Sequence, residues 1–324
     1  MTDVKVLNFM GKRTYALVFS VVLLIVSIGS LAINGLNFGL DFTGGVQIEL
    51  GFEEAANLDQ IRNTLNAQGY RDVNVKFFGN NTDVLINMQE DNNPQLGEQV
   101  LALVQQDQAN VQLRRNEFVG PQVGEELANN GGIGMIVALG LVMIYIAFRF
   151  QFKFAVGAVT ALIHDVIIVI GFFSITQMAF DLTVLAAVLA VIGYSLNDTI
   201  VVADRIRENF RVIRRDDTEY LINISLSQTL GRTLITSLTT LLVLLALALF
   251  GGELIRGFAV ALMVGVGIGT YSSIYVSANI LMLMKLTKED MIPQEKEAID
   301  TDEVPTWLKD IEGDEDETLE DQKQ

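Results

Sequence analysis

The sequence predicts a polytopic α-helical membrane protein, with six transmembrane helices and a small ferredoxin-like α+β domain inserted after the first. Three observations predict it. Half of the 324 residues are hydrophobic although the formal net charge is -17, so apolar and acidic stretches are segregated along the chain. Six apolar runs reach the roughly 20 residues needed to cross hydrocarbon. Between the first two runs the hydrophobic spacing switches to the two-residue and 3.6-residue periods of a soluble fold. The same composition excludes several functions. Nucleic-acid binding needs clustered Lys and Arg facing phosphate, against the acidity here. With no cysteine there are no disulfides, thiolate nucleophiles or cysteine metal sites. His164 is the one histidine, too few for a multi-histidine zinc site, and HExxH is absent.

Residues 1–14 carry Lys5, Lys12 and Arg13 ahead of the first apolar run at 15–34. A basic flank marks the cytoplasmic side. Ser30 and Ala32 have the spacing of a signal-peptidase site, but the apolar region of a signal peptide is usually only about 7 to 15 residues, so the run reads as a retained helix.

Residues 35–130 form the inserted domain with its connectors. LDFTGG at 40–45 places Gly44 and Gly45 where the chain bends out of the membrane. Val46, Ile48, Leu50 and Phe52 alternate as a strand, and Leu58, Ile61 and Leu65 follow at helical spacing until Gly69. Strands at 73–79 and 84–88 flank a turn at 79–82. Asn93 caps a second helix with Pro94 at its first position and Leu96, Val100, Leu101 and Val104 on one face. A last strand at 111–119 completes βαββαβ, a split ferredoxin-like unit. Its acidic residues read as a solvated surface. Residues 120–130 return to the membrane as a connector.

Residues 131–284 hold five more spans, at 132–148, 154–176, 182–203, 225–250 and 257–284. Arg149 and Lys153 fall in one turn, and Arg205, Arg207, Arg211, Arg214 and Arg215 in another, which makes both cytoplasmic. The opposite loops are poor in Lys and Arg. Both termini are then cytoplasmic. Residues 285–324 are an acidic tail without apolar periodicity, read as disordered with a short helix near Trp307.

The polar residues inside the spans carry the functional signal. Asp198, beside Asn197, sits in a spanning run where a central acid costs about 2.5 to 3.5 kcal/mol, so it faces protein or water. It serves an ion path or pairs with a neighbouring helix. In the next span Gln228, Thr229, Arg232, Thr233, Thr236, Thr239 and Thr240 crowd one side. Counting from the loops puts Asp198 and Arg232 both about 9 Å from the cytoplasmic boundary. Arg232 either meets Asp198 or snorkels to the interface. His164 and Asp165 are adjacent in the third span, where relay of protons and structural hydrogen bonding are equally open. Gly257, Ala261, Gly265, Gly269, Ser273 and Ser277 recur every four residues, a stripe for close helix packing. Thr270, Tyr271 and Ser272 lie nearby as contributors to a hydrated path.

DFTGG at 41–45, VGPQVGEEL at 119–127, HDV at 164–166, GYSLNDTIVVADRIREN at 193–209, QTLGRT at 228–233 and IRGFA at 255–259 together resemble the SecF family. These are the smaller subunits of the SecD-SecF protein-export membrane complex, within the RND superfamily. The resemblance runs from about residue 10 to 285 and leaves out the acidic tail. It implies an RND-like half bundle with a periplasmic domain, in the bacterial inner membrane. It also implies SecD as partner, association with the SecYEG channel and YajC, and a translocating unfolded polypeptide as client. The family's membrane acid maps onto Asp198 and its arginine onto Arg232, with Gly231 before the arginine and the register intact. Asn197, Gln228, Thr233, Thr236, Thr240, His164 and Asp165 then support the ion path, and Asp41, Gly44 and Gly45 form the domain-membrane junction. The expected function is use of a proton or sodium gradient to promote late steps of export, with no enzymatic chemistry, cofactor or metal. A small-molecule efflux subunit of the same superfamily is the alternative, but it should need larger periplasmic domains for a drug-sized pocket. An intramembrane protease is suggested only by Gly193-Tyr194-Ser195, where Asn197 replaces the last glycine of a nucleophile elbow.

Overall fold

The computed structural model describes residues 5–291 apart from 71, 72, 89–92, 94, 109 and 216. The acidic tail beyond 291, its expected helix near Trp307, and Pro94 lie outside the described residues. Residues up to Leu286 form one unit and those from Thr287 another. The described part of the second is a short 3-10 turn at Glu289–Met291, where the Asp290 carboxylate accepts the Thr287 N–H at 2.7 Å.

Helix α1 (Arg13–Asn34) leads into a single turn, α2 (Leu40–Thr43), and strand β1 (Gly45–Phe52). Then follow α3 (Leu58–Ala67), β2 (Asn74–Phe78), β3 (Asn80–Met88), α4 (Leu96–Asp107) and β4 (Val111–Val119). All strand pairs are antiparallel in the order β2-β3-β1-β4, the ferredoxin-like arrangement. Alternation explains the core. Val46, Ile48, Leu50 and Phe52 of β1 meet Val84, Ile86 and Met88 of β3, and the apolar faces of α3 and α4 close over them through Ile61, Leu65, Val100 and Val104.

Two expected boundaries move for local reasons. The turn at 79–82 shrinks, because Gly79 alone takes positive φ (83°) and Asn80 already belongs to β3. Asn80 Oδ1 accepts the Thr82 and Asp83 N–H groups, each at 2.8 Å, and holds the strand start. Asn93 is not the cap of α4. Its Oδ1 accepts the Gln95 N–H at 3.1 Å, and Gln95 occupies the N-cap.

Five long helices follow: α5 (Pro121–Arg149), α6 (Phe152–Thr176), α7 (Leu182–Val212), α8 (Thr218–Phe250) and α9 (Glu253–Leu283). With α1 they make six helices long and apolar enough to cross a membrane. The helices outrun the apolar stretches that announce them. Residues 121–130, expected as a connector, are the first turns of α5, started by Pro121 at its first position. Arg205, Arg207 and Arg211, expected in a loop, ride on the last turns of α7.

Helix α9 packs against α6, α7 and α8 along its small-residue stripe. A Cβ on Gly265 would stand 2.1 Å from Val191, and one on Gly269 would stand 3.1 Å from Ser195, so only glycine admits α7 at this distance. Farther along, Ser277 lies against Gly157 of α6. Helices α6 and α7 are largely buried within the chain. By contrast α5 and α8 expose apolar rows, including Ile136, Leu141 and Phe148 on α5 and Ile235, Leu238 and Leu242 on α8.

Candidate functional site

Helix α7 places Asp198 on its inner face, where the residue is only 4% exposed. Its Oδ2 is buried with no hydrogen-bond partner. An isolated buried carboxyl oxygen is costly, and native structures hold few such atoms without a functional reason. Asn197, one residue earlier, turns to the exposed face of the same helix.

The register between α7 and α8 locates Arg232. Tyr194 Oη donates to Thr240 Oγ1 at 3.4 Å near one end, and Asn209 Nδ2 donates to Ser225 Oγ at 2.8 Å near the other. Between these contacts the antiparallel helices set Asp198 opposite Thr236 and Arg232 opposite Val202. The expected equal depth therefore gives way to an offset of one helical turn, about 6 Å. The two side chains form no salt bridge among the described residues. Arg232 itself is exposed on the outer face of α8. Gln228 is occupied elsewhere. Its Oε1 accepts Arg205 Nε at 2.7 Å and Asn209 Nδ2 at 2.8 Å, pinning α7 to α8 below the acid.

The threonine stripe divides into two kinds. Thr229, Thr236 and Thr240 donate to the carbonyls of Ser225, Arg232 and Thr236 at 3.1, 3.0 and 2.9 Å, so their hydroxyls are satisfied by their own helix. Thr233 differs. It is 1% exposed, and its Oγ1, like Asp198 Oδ2, is buried without a partner.

His164 and Asp165 form a separate centre. Although neighbours on a helix diverge by about 100°, His164 Nδ1 meets Asp165 Oδ1 at 2.9 Å. Asp165 Oδ2 accepts Ser195 Oγ of α7 at 2.5 Å and Ser272 Oγ of α9 at 2.7 Å. The carboxyl is fully buried and bonded on both oxygens, the reverse of Asp198. Sequence reasoning missed Ser195 as its partner. The residue stands out only as the centre of a failed nucleophile elbow, and the signal that finds it is its place one turn before Asp198.

The junction joins the two halves of the fold. Asp41 Oδ2 accepts the N–H of Leu182, the first residue of α7, at 3.0 Å. Beside it the Gly39 N–H donates to the Phe180 carbonyl, and the Phe180 N–H to the Asn37 carbonyl, each at 2.8 Å. Gly44 and Gly45 take φ of 68° and 118°, conformations that suit glycine, and turn the chain directly into β1. A Cβ on Gly124 of α5 would stand 2.9 Å from the Gly44 nitrogen. Asp41, Gly44 and Gly45 thus connect α7, α5 and β1 at one point. Among the described residues no group of three or more His, Asp or Glu is placed to hold a metal ion.

Comparison with known proteins matches the same regions. A family model described as protein export membrane protein SecD/SecF, C-terminal, covers residues 99–287, and the SecD/SecF GG motif covers 29–56. The protein translocase subunit SecF of Pseudomonas aeruginosa is 52% identical over 297 residues, which is 91% of this chain and 97% of the relative. That of Escherichia coli O157:H7 is 44% identical over 303 residues, 91% of this chain and 94% of the relative. Among solved structures, the crystal structure of SecDF from Thermus thermophilus, titled a translocon-associated membrane protein, matches with a TM-score of 0.80 at 36% identity. The match covers 88% of this chain and 40% of that longer one. A family model over more than half of the chain, and relatives of this identity over nine-tenths of it, agree with the six-helix fold and its glycine junction: the chain belongs to the SecF branch of the SecD/SecF family of protein export membrane proteins.

Proposed function

We propose that this chain is the SecF-type half of a two-part export device in the bacterial inner membrane, converting an ion gradient into late-stage movement of an unfolded polypeptide. The observation that carries the reading is the Asp198 carboxyl, buried in a span with one oxygen unpartnered. A carboxyl already bonded on both sides, such as Asp165, has little to gain from a passing ion. One with a free buried oxygen gains either a proton on that oxygen or a sodium ion beside it, and each neutralises its charge. Each elementary charge crossing 100 mV supplies roughly 2.3 kcal/mol, enough to bias a two-state bundle. Nothing in this cycle requires covalent chemistry on the client.

Arg232 belongs to the same device because a guanidinium one helical turn away on the neighbouring helix attracts an ionised Asp198 carboxylate. Neutralising the acid weakens that attraction, which gives α7 and α8 a reason to shift. Helix α7 is bonded at its far end to Asp41, so its displacement pulls on the glycine bend and on β1. The positive residues at Arg149, Lys153 and Arg205 support a cytoplasmic position for those helix ends and a periplasmic one for the sheet domain.

The partner follows from what is uncovered. Arg232 and Asn197 face outward, and α5 and α8 expose apolar rows. An exposed guanidinium at membrane depth calls for protein or water rather than lipid. A SecD-type bundle of similar size would cover it, with the SecYEG channel and YajC as further neighbours. The test is export of a labelled precursor into vesicles containing the chain and its SecD-type partner, under a proton or a sodium gradient. Gradient-dependent completion of export is expected, and export indifferent to both gradients would contradict the reading.

A further inference from the structure

A cavity of about 270 Å³ lies between α1, α6 and α9, and its lining includes neither Asp198 nor Arg232. The walls are apolar, among them Leu17, Val21, Ile163 and Ile280. An engineered apolar cavity of about 150 Å³ stays dry and takes benzene, so this one has room for a longer hydrocarbon. One end is polar. The Asn279 side chain lines the cavity, is more than nine-tenths buried, and makes no side-chain hydrogen bond within the described residues. Asn279 precedes the end of α9 by four residues, about 6 Å of rise. That is the depth at which lipid carbonyls meet hydrocarbon, whereas His164 lines the cavity about two and a half turns deeper.

We propose that this cavity seats one acyl chain entering sideways from the bilayer. Its ester or acid carbonyl accepts a hydrogen bond from Asn279 Nδ2, and its methylenes run inward along α1 and α6 toward His164. The Asn279 carboxamide favours an acyl carbonyl over a plain hydrocarbon. A bound carbonyl gives the Asn279 carboxamide an acceptor that its own helix does not supply. A glycerolipid and a free fatty acid share this chemistry and differ only in the group left outside.

Photolabelling of the complex between this chain and its SecD-type partner tests the assignment, using a diazirine-bearing palmitate and a phospholipid with the same acyl probe. Peptides containing Leu17, Val21 and Ile163 should be labelled above those of the exposed α5 row around Ile136. Val276→Trp fills the cavity and should lower that labelling roughly tenfold. Asn279→Leu keeps the volume, removes the donor and should lower it about fivefold, while α5 labelling stays constant. Where Val276→Trp fails to assemble with the partner, Ala16→Leu fills the same space from α1 and reads the same quantity. Labelling by the phospholipid alone identifies a bilayer lipid, labelling by palmitate alone a free acid, and either supports the site. Lining peptides labelled no more than α5, or labelling untouched when the cavity is filled, would overturn it.

Discussion

The Asp41 carboxylate bonds the first amide of α7, at Leu182, across 3.0 Å, so a residue just before the glycine bend also holds the start of the helix that carries Asp198, beside its N-cap Asp181. Losing one such hydrogen bond typically costs about 0.5 to 1.5 kcal/mol. Asp41→Ala should therefore lower thermal stability only slightly and leave partner assembly intact, while weakening gradient-driven export strongly. Asp41→Asn retains an acceptor oxygen and should restore most of the export. Equal export by the alanine variant and the parent chain would show that α7 does not act through this contact.

The two buried acids should separate by what they do when neutralised. Asp165 has three donors around it, and Asp165→Leu strands the Ser195 hydroxyl while Ser272 keeps the Gly269 carbonyl at 3.1 Å, so the bundle should lose about 1 to 3 kcal/mol for the one hydroxyl left unpaired. Asp198→Asn removes no hydrogen bond from Oδ2 and should leave the stability in detergent unchanged within about 1 kcal/mol. Thermal melts of the two variants beside the parent protein compare them directly. A large loss of stability in Asp198→Asn would assign that residue to holding the bundle together.

At the junction, Gly124→Ala places a methyl group 2.9 Å from the Gly44 nitrogen and 3.1 Å from the Phe42 carbonyl. Overpacking of this kind costs about 1 to 3 kcal/mol. The glycine bend would be pushed off α5, and protease sensitivity near residues 40–45 should rise while the sheet domain keeps its melting behaviour. Unchanged proteolysis there would mean that the close approach has no mechanical role.

The spans and the βαββαβ domain were legible because hydrophobic period is a local property, and Val46 to Phe52 alternate in the sequence as they do in β1. The reach of α5 back to Pro121 was not, since residues 121–130 contain no apolar run and pack at Gly124 against a chain segment 80 residues away. The depth of Arg232 was misjudged for a related reason. Counting from loop ends assumes that helices stop where hydrophobicity stops, whereas α7 continues to Val212 and α8 begins at Thr218. His164 and Asp165 stand out as ionisable residues in a span. Their serine partners do not, because Ser195 and Ser272 lie 30 and 107 residues from Asp165 and only tertiary packing brings them together.

Orientation has its own test. Cysteines introduced at Asn80, in the sheet domain, and at Arg214, in the exposed turn after α7, should react with an impermeant thiol reagent from opposite sides of the membrane. The parent chain has no cysteine, so each label reports one position. Labelling of both from outside would reverse the assignment made from Arg149, Lys153 and Arg205.

In the proposed mechanism Asp198 is present to change charge. Asp198→Asn keeps size and hydrogen-bonding capacity but cannot exchange a proton or balance a sodium ion, and Arg232→Lys keeps the charge but loses the planar fork. The most direct measurement is export of a labelled precursor by the Asp198→Asn chain assembled with its SecD-type partner, with and without an imposed ion gradient. Normal assembly, normal ATP-driven translocation and no stimulation by the gradient are expected. Full gradient stimulation by the assembled Asp198→Asn complex would contradict it.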